Sequence, residues 1–255
     1  MTTADRLNDL ITAKEDMKSA IEGKGVTVTG GLSTYADAIK AIRNKNFPEV
    51  TTLRFGSSFR DITGHIDFNE IFLDTFYYTD MSYMFALSTN LTAVYNIDTR
   101  NAVNMFAMFA DCMSLTKAPN INTSNVTDMS SMFDNCQTLN YVPLLDCGNV
   151  EDVTNMFQFA ALHNEITMGG FKDLGKKENL VGTEYMFTGK LRTNNVIGNM
   201  THEAIMNIAN NLYDRATAGY SSLTIDLPLT RMTEEEKTIV RNKGWIIYDT
   251  GIAIN

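Results

Sequence analysis

A chain of 255 residues with 44% hydrophobic and 20% charged residues has the balance of a folded globular protein, which argues against wholesale disorder. A formal net charge of −9 argues against nucleic-acid binding, which needs clustered Lys and Arg, although a local basic patch stays possible. No apolar run approaches the roughly 18 residues of a membrane span, the opening residues lack a secretory signal pattern, and three cysteines provide no even disulfide framework.

The chain opens with Leu7, Leu10, Ile11, Met17 and Ile21 on one stripe at helical spacing, interrupted by Lys14. This stripe is a candidate docking or oligomerisation seam, short enough to be marginal alone. Gly23 and Gly25 end it, Val26-Thr-Val-Thr suits a small strand, and residues 34–42 suit a second helix. The order helix, Gly-Val-Thr-Val, then Tyr-Ala-Asp-x-Ile-x-x-Ile over residues 5–43 resembles a short module of phage structural and tail proteins. That resemblance implies a virion setting, assembly in a host cytoplasm, and a docking role for residues 1–48.

The central third is a tandem repeat. Met84-Phe85, Met108-Phe109, Met132-Phe133 and Met156-Phe157 follow one another at 24-residue intervals. Other columns keep step: Asp80/Asn104/Asp128/Asp152, Ser88/Cys112/Cys136/Ala160, Leu91/Leu115/Leu139, Val94/Ala118/Val142/Ile166 and Asn101/Asn125/Asn149. A unit of this kind buries its apolar face by stacking on its neighbours, so the Met and Phe columns are the expected core.

Within one unit, Met129, Met132, Phe133 and Cys136 lie at i, i+3, i+4 and i+7, which predicts a short helix capped by Asp128. Residues 139–145 suit a strand, kept short or irregular by Pro143. Stacked strands would form a narrow parallel sheet with rungs about 4.8 Å apart.

The run Val-Thr-Asp-Met-Ser-Ser-Met-Phe-Asp-Asn-Cys-Gln-Thr-Leu at 126–139 resembles the BspA-like class of leucine-rich repeats of bacterial surface and phage proteins, over residues 75–170. It implies an α/β, leucine-rich-repeat-like solenoid of 24-residue short-helix/short-strand coils across 49–198, between a small α/β N-terminal module and an α/β cap. Tyr185-Met186-Phe187 reads as a degenerate copy displaced by six residues, which suggests a loop insertion at 169–177.

From Thr201 the pattern changes. Thr201 can cap a helix reaching about Tyr213, residues 222–227 alternate like a strand, and Thr233-Glu-Glu-Glu236 is a capping box. Gly244 would end that helix before a last strand at residues 245–248. Residues 199–255 are therefore expected to cap the last unit's apolar edge. The closing Met-Thr-Glu-Glu-Glu-Lys and Asn-Lys-Gly-Trp also resemble the ends of BspA-like proteins.

Reactive chemistry is sparse. His65, His163 and His202 lack partners at metal spacing, so no catalytic residue, metal or cofactor is expected. Cys112 and Cys136 should be neighbours and read as small hydrophobes more readily than as a redox pair; Cys147 replaces Thr99 and Thr123 in a turn column. The Asp80/Asn104/Asp128/Asp152 column suits capping better than a calcium ladder. Sequons at Asn90, Asn122, Asn125 and Asn199 matter only in a secretory pathway.

Variable positions on the strand side, Tyr95, Lys117 and Tyr141, are the candidate partner surface. The expected function is a non-enzymatic virion component (fibre, decoration, tail or baseplate). Its expected partners are other virion proteins, a host surface protein or glycan, and further copies of itself, with neither nucleic acid nor membrane insertion. A bacterial surface adhesin domain and a polysaccharide-degrading enzyme are the alternatives.

Overall fold

Successive 24-residue units lie against one another through their backbones: Asp80 bridges Asn104, Asn104 bridges Asp128, and Asp128 bridges Asp152, each in parallel sense. The computed structural model describes residues 63–67, 75–187 and 199–248, together with Lys18. Leu7, Leu10, Ile11, Met17, Ile21 and the short elements expected at 26–29 and 34–42 lie outside the described residues.

The strands are brief and pair in parallel. β1 (Thr63–Asp67) pairs with β2 (Asn90–Tyr95). β3 (Tyr141–Val142) pairs with β5 (Thr167–Met168), and β4 (Leu145–Asp146) with β6 (Phe171–Lys172). Pro143, which has no N–H for a ladder, stands between β3 and β4 and divides one strand into two. The described residues thus form an α/β arrangement of small parallel pairs with no closed barrel among them.

Met84, Met108, Met132 and Met156 are all fully buried, as are their phenylalanine neighbours. The rings of Phe85, Phe109, Phe133 and Phe157 stack in a file with centroids 5.1, 5.4 and 5.4 Å apart, and Phe187 continues it at 5.7 Å. Phe171 packs against the end of the file, tilted 50° to Phe157.

The stretch expected to be helical is a run of turns. Alternate N–H groups leave the unit: Met81, Tyr83, Phe85 and Leu87 donate to the carbonyls of Asn104, Phe106, Met108 and Ala110 at 2.8–2.9 Å. Those between them, on Met84, Ala86 and Ser88, bond locally to the third residue back. An α-helix would require every N–H to reach the fourth residue back within the unit, leaving none for a neighbour. Two positions per unit are left-handed instead: Tyr83, Ala107, Ser131 and Asn155 (φ 51–59°), and Leu87, Asp111, Asn135 and Phe159 (φ 55–65°). None of these eight is β-branched, the class that resists this conformation most. Met129, Met132, Phe133 and Cys136 still share one buried face, because four-residue turns repeat the apolar spacing of a helix.

The register also differs from the sequence alignment. Val142 pairs with Met168, not Ile166, which bridges Met200 instead. The six extra residues are therefore divided. The step is 26 between Tyr141 and Thr167 and still 26 between Asp146 and Lys172, but 30 between stacked Phe157 and Phe187. Residues 169–172 are accordingly part of the stack, not an inserted loop; a β-carbon on Gly169 would collide with the Leu144 backbone.

The C-terminal segment follows the expected order, with one added short helix. α1 (His202–Asn211) is capped by the Thr201 hydroxyl, which accepts from the Ala204 N–H at 3.1 Å. α2 (Arg215–Ala218) precedes β7 (Leu223–Asp226). α3 (Glu234–Asn242) opens with the full capping box of Thr233 and Glu236, and β8 (Trp245–Tyr248) pairs in parallel with β7. α1 packs on β5 and β6, and so covers the last strands of the stack.

Candidate functional site

Two polar columns of the repeat hold successive units together, and a third shapes the turns within them. Thr99 Oγ1 accepts from the Asn122 N–H (2.7 Å) and donates to the Asn122 carbonyl (2.9 Å). Thr123 repeats this with Asp146, and Thr75 Oγ1 accepts from the Asp98 N–H. The side-chain amides of Asn101, Asn125 and Asn149 donate to the carbonyls of Phe76, Arg100 and Ser124 in the preceding unit. In the third, Asp98, Asn122 and Asp146 each accept from the N–H two residues on, which shapes the turn.

Between these turns lies an open groove of about 670 Å³ that crosses three units. Its lining includes Asn96, Asp98 and Arg100 from the first, Asn120, Asn122 and Ser124 from the second, and Leu144 and Asp146 from the third. Its charges are compensated. Arg100 lies 2.6 Å from Asp98, and Lys172 lies 2.7 Å from Asp146. The Arg100 hydrogen bond holds the Asp98 carboxyl below its ordinary range. Burial pushes Asp146 upward, but Lys172 and the Gly148 N–H outweigh it and bring that carboxyl down as well. Both groups are carboxylates near neutral pH.

The candidate surface residues from the sequence stand beside this groove and do not line it. Lys117 and Tyr141 are exposed and bridged to one another. Tyr95 is 51% exposed, sits edge-on to His65 at 5.9 Å, and immediately precedes Asn96 of the groove. The groove is not legible as a site in the sequence because it forms only where three turns lie side by side. The signal that could have found it is the period of Asp98/Asn122/Asp146, a second set of turn-forming side chains besides Asp80/Asn104/Asp128/Asp152.

Asp80, Asn104, Asp128 and Asp152 each accept from the N–H two residues on at 2.8–3.0 Å, closing turns in place of a helix start. The thiols of Cys112 and Cys136 donate to the carbonyls of Phe85 and Phe109, both at 3.2 Å, and Cys147 is buried in the threonine column. His65 lies against Tyr95, His163 is exposed, and His202 reaches Glu236 at 3.1 Å, so the histidines do not converge. Among the described residues no group of three His, Cys, Asp or Glu is arranged to hold a metal ion. The amides of Asn125 and Asn199 are committed to backbone carbonyls. Asp134 is a further ionisable group: burial first, and then Asp111, push its carboxyl up to about 6.

One family model fits this chain twice, over residues 55–169 and 117–221, and so covers well over half of it. The chain belongs to the DUF285 family. That family is described as a Mycoplasma protein of unknown function. The two matches overlap over residues 117–169, in the part of this DUF285 chain where the 24-residue period operates, and the second runs on into the C-terminal segment. No curated protein and no solved structure matches the chain.

Proposed function

We propose that the chain is a non-enzymatic structural protein of a bacteriophage particle: a fibre, decoration, tail or baseplate component built on a leucine-rich-repeat-like solenoid. In this reading residues 1–48 dock to other virion proteins or to further copies, 49–198 present a contact surface, and 199–255 close the stack. The observation that carries it is the commitment of whole polar columns to unit-to-unit hydrogen bonds, which makes a stiff scaffold. The resemblance of residues 5–43 to phage structural modules supplies the setting.

The groove chemistry favours contact over turnover. Glycoside hydrolysis needs one carboxyl held protonated beside one that is ionised. Asp98 and Asp146 are both held ionised, and Asp134, the carboxyl with the raised value, does not line the groove. The family description names a cellular source, which favours a second reading as an adhesin domain of a bacterial surface, in contact with a host protein or glycan. Mass spectrometry of purified particles tests the first reading. Stoichiometric peptides of this chain are expected, and their absence from particles would leave the adhesin.

A further inference from the structure

We infer that the groove across the three units is a track for an extended, neutral, β-1,4-linked polysaccharide; this deepens the proposed contact role and rests on it. The groove crosses units whose phenyl rings are stacked 5.1 and 5.4 Å apart, close to the length of one pyranose in an extended β-1,4 chain. Sugars and units therefore stay in step, and because each sugar is turned over relative to the last, like faces return at every second unit. An extended peptide fits worse. Its same-face side chains recur about every 6.7 Å, at roughly 3.3 Å per residue, and drift out of step with the units.

Amide and carboxylate groups at Asn96, Asn120, Asp98, Asn122 and Asp146 repeat along the track and suit sugar hydroxyls, which both donate and accept. At its centre, the exposed Asn120 side chain has no hydrogen-bond partner among the described residues, and neither has the amide nitrogen of Asn122. Leu144, 48% exposed in the column otherwise held by Asn96 and Asn120, offers an apolar contact for the C–H face of a third sugar.

Asp98 is paired with Arg100 and Asp146 with Lys172, so among the described residues the groove has no uncompensated cation to hold an anionic chain, and the protein carries a net −9.

The test is isothermal titration of the full-length protein with cello- and chito-oligosaccharides of one to six units, beside anionic hyaluronan fragments. Affinity is expected to rise at least tenfold from one unit to three and to level off beyond three, when the track is filled. Asn120→Ala and Leu144→Asp should each weaken trimer binding about fivefold to tenfold while leaving the unfolding midpoint unchanged, since neither side chain supports the fold. No binding up to millimolar concentration, a preference for the anionic fragments, or unchanged affinity in both variants would each overturn the inference. Presence in particles without glycan binding removes this inference alone; glycan binding by a protein absent from particles removes the phage reading alone.

Discussion

The Thr123 hydroxyl closes a ring of two hydrogen bonds on the backbone of Asp146, accepting from its N–H at 2.8 Å and donating to its carbonyl at 2.9 Å. A single side chain thereby satisfies both polar groups of a residue in the next unit. Burial makes the bonds count, because Thr123 is only 2% exposed.

Thr123→Val keeps the shape and removes both bonds, leaving Asp146 with an unpaired N–H and carbonyl. The expected loss is about 2–3 kcal/mol, with Thr123→Ser close to the parent. Urea unfolding measures it; a valine variant as stable as the parent would show that the threonine column is ornamental.

Phe133 is stacked on both sides, 5.4 Å from Phe109 and 5.4 Å from Phe157. Phe133→Ala should cost about 3–5 kcal/mol, because stacked units on either side prevent the cavity from collapsing. The unfolding midpoint reads this directly, and a loss below 1 kcal/mol would contradict the file of rings.

The C-terminal segment is joined to the last units through Arg215. Its Nε donates to the Ser221 carbonyl (2.8 Å) and its Nη1 to those of Gly175 (2.6 Å) and Lys177 (3.2 Å). Trp245, the sole tryptophan, lies against Gly175, where an added β-carbon would collide with its ring. Arg215→Met strands those carbonyls and should cost about 3 kcal/mol. Emission from Trp245 should move to the red as the segment loosens; an unshifted spectrum would place the join elsewhere.

Asp134 gives the pH dependence a definite sign. Its carboxyl titrates near 6 in the folded chain, against an ordinary value of 3.8. The folded state thus holds the proton more tightly, and stability falls as pH rises from about 4 through 6. Asp134→Asn should be more stable than the parent at pH 7–8 by on the order of 1 kcal/mol, allowing for solvent that still reaches the group, with the gain vanishing near pH 4. Denaturation across that range decides it, and a gain that grew toward acid pH would reverse the assignment.

The cysteines should be silent in the folded protein. Burial pushes the Cys112 thiol up to about 12, and raises Cys136 and Cys147 as well. Thiolate is the reactive form, so an aromatic disulfide reagent at pH 8 should label none natively and all three in denaturant. Rapid labelling of Cys112 or Cys136 in the native state would mean that the core opens there.

The 24-residue period, the identity of the buried Met and Phe columns, and the capping box at Thr233 are all legible in the order of amino acids. These follow from residue type alone: apolar side chains in register must share a face, and a Thr three residues before a Glu closes on the free N–H groups of a helix that starts there. How the Met129–Cys136 stretch folds is set by contacts between units. Its apolar spacing suits a helix and a run of turns equally, and what separates them is whether alternate N–H groups find carbonyls in an adjacent unit. The same applies to the shift that seats Met168, not Ile166, beside Val142, and to the groove formed where three turns come side by side. Each depends on pairing between residues distant along the chain, which no local pattern encodes.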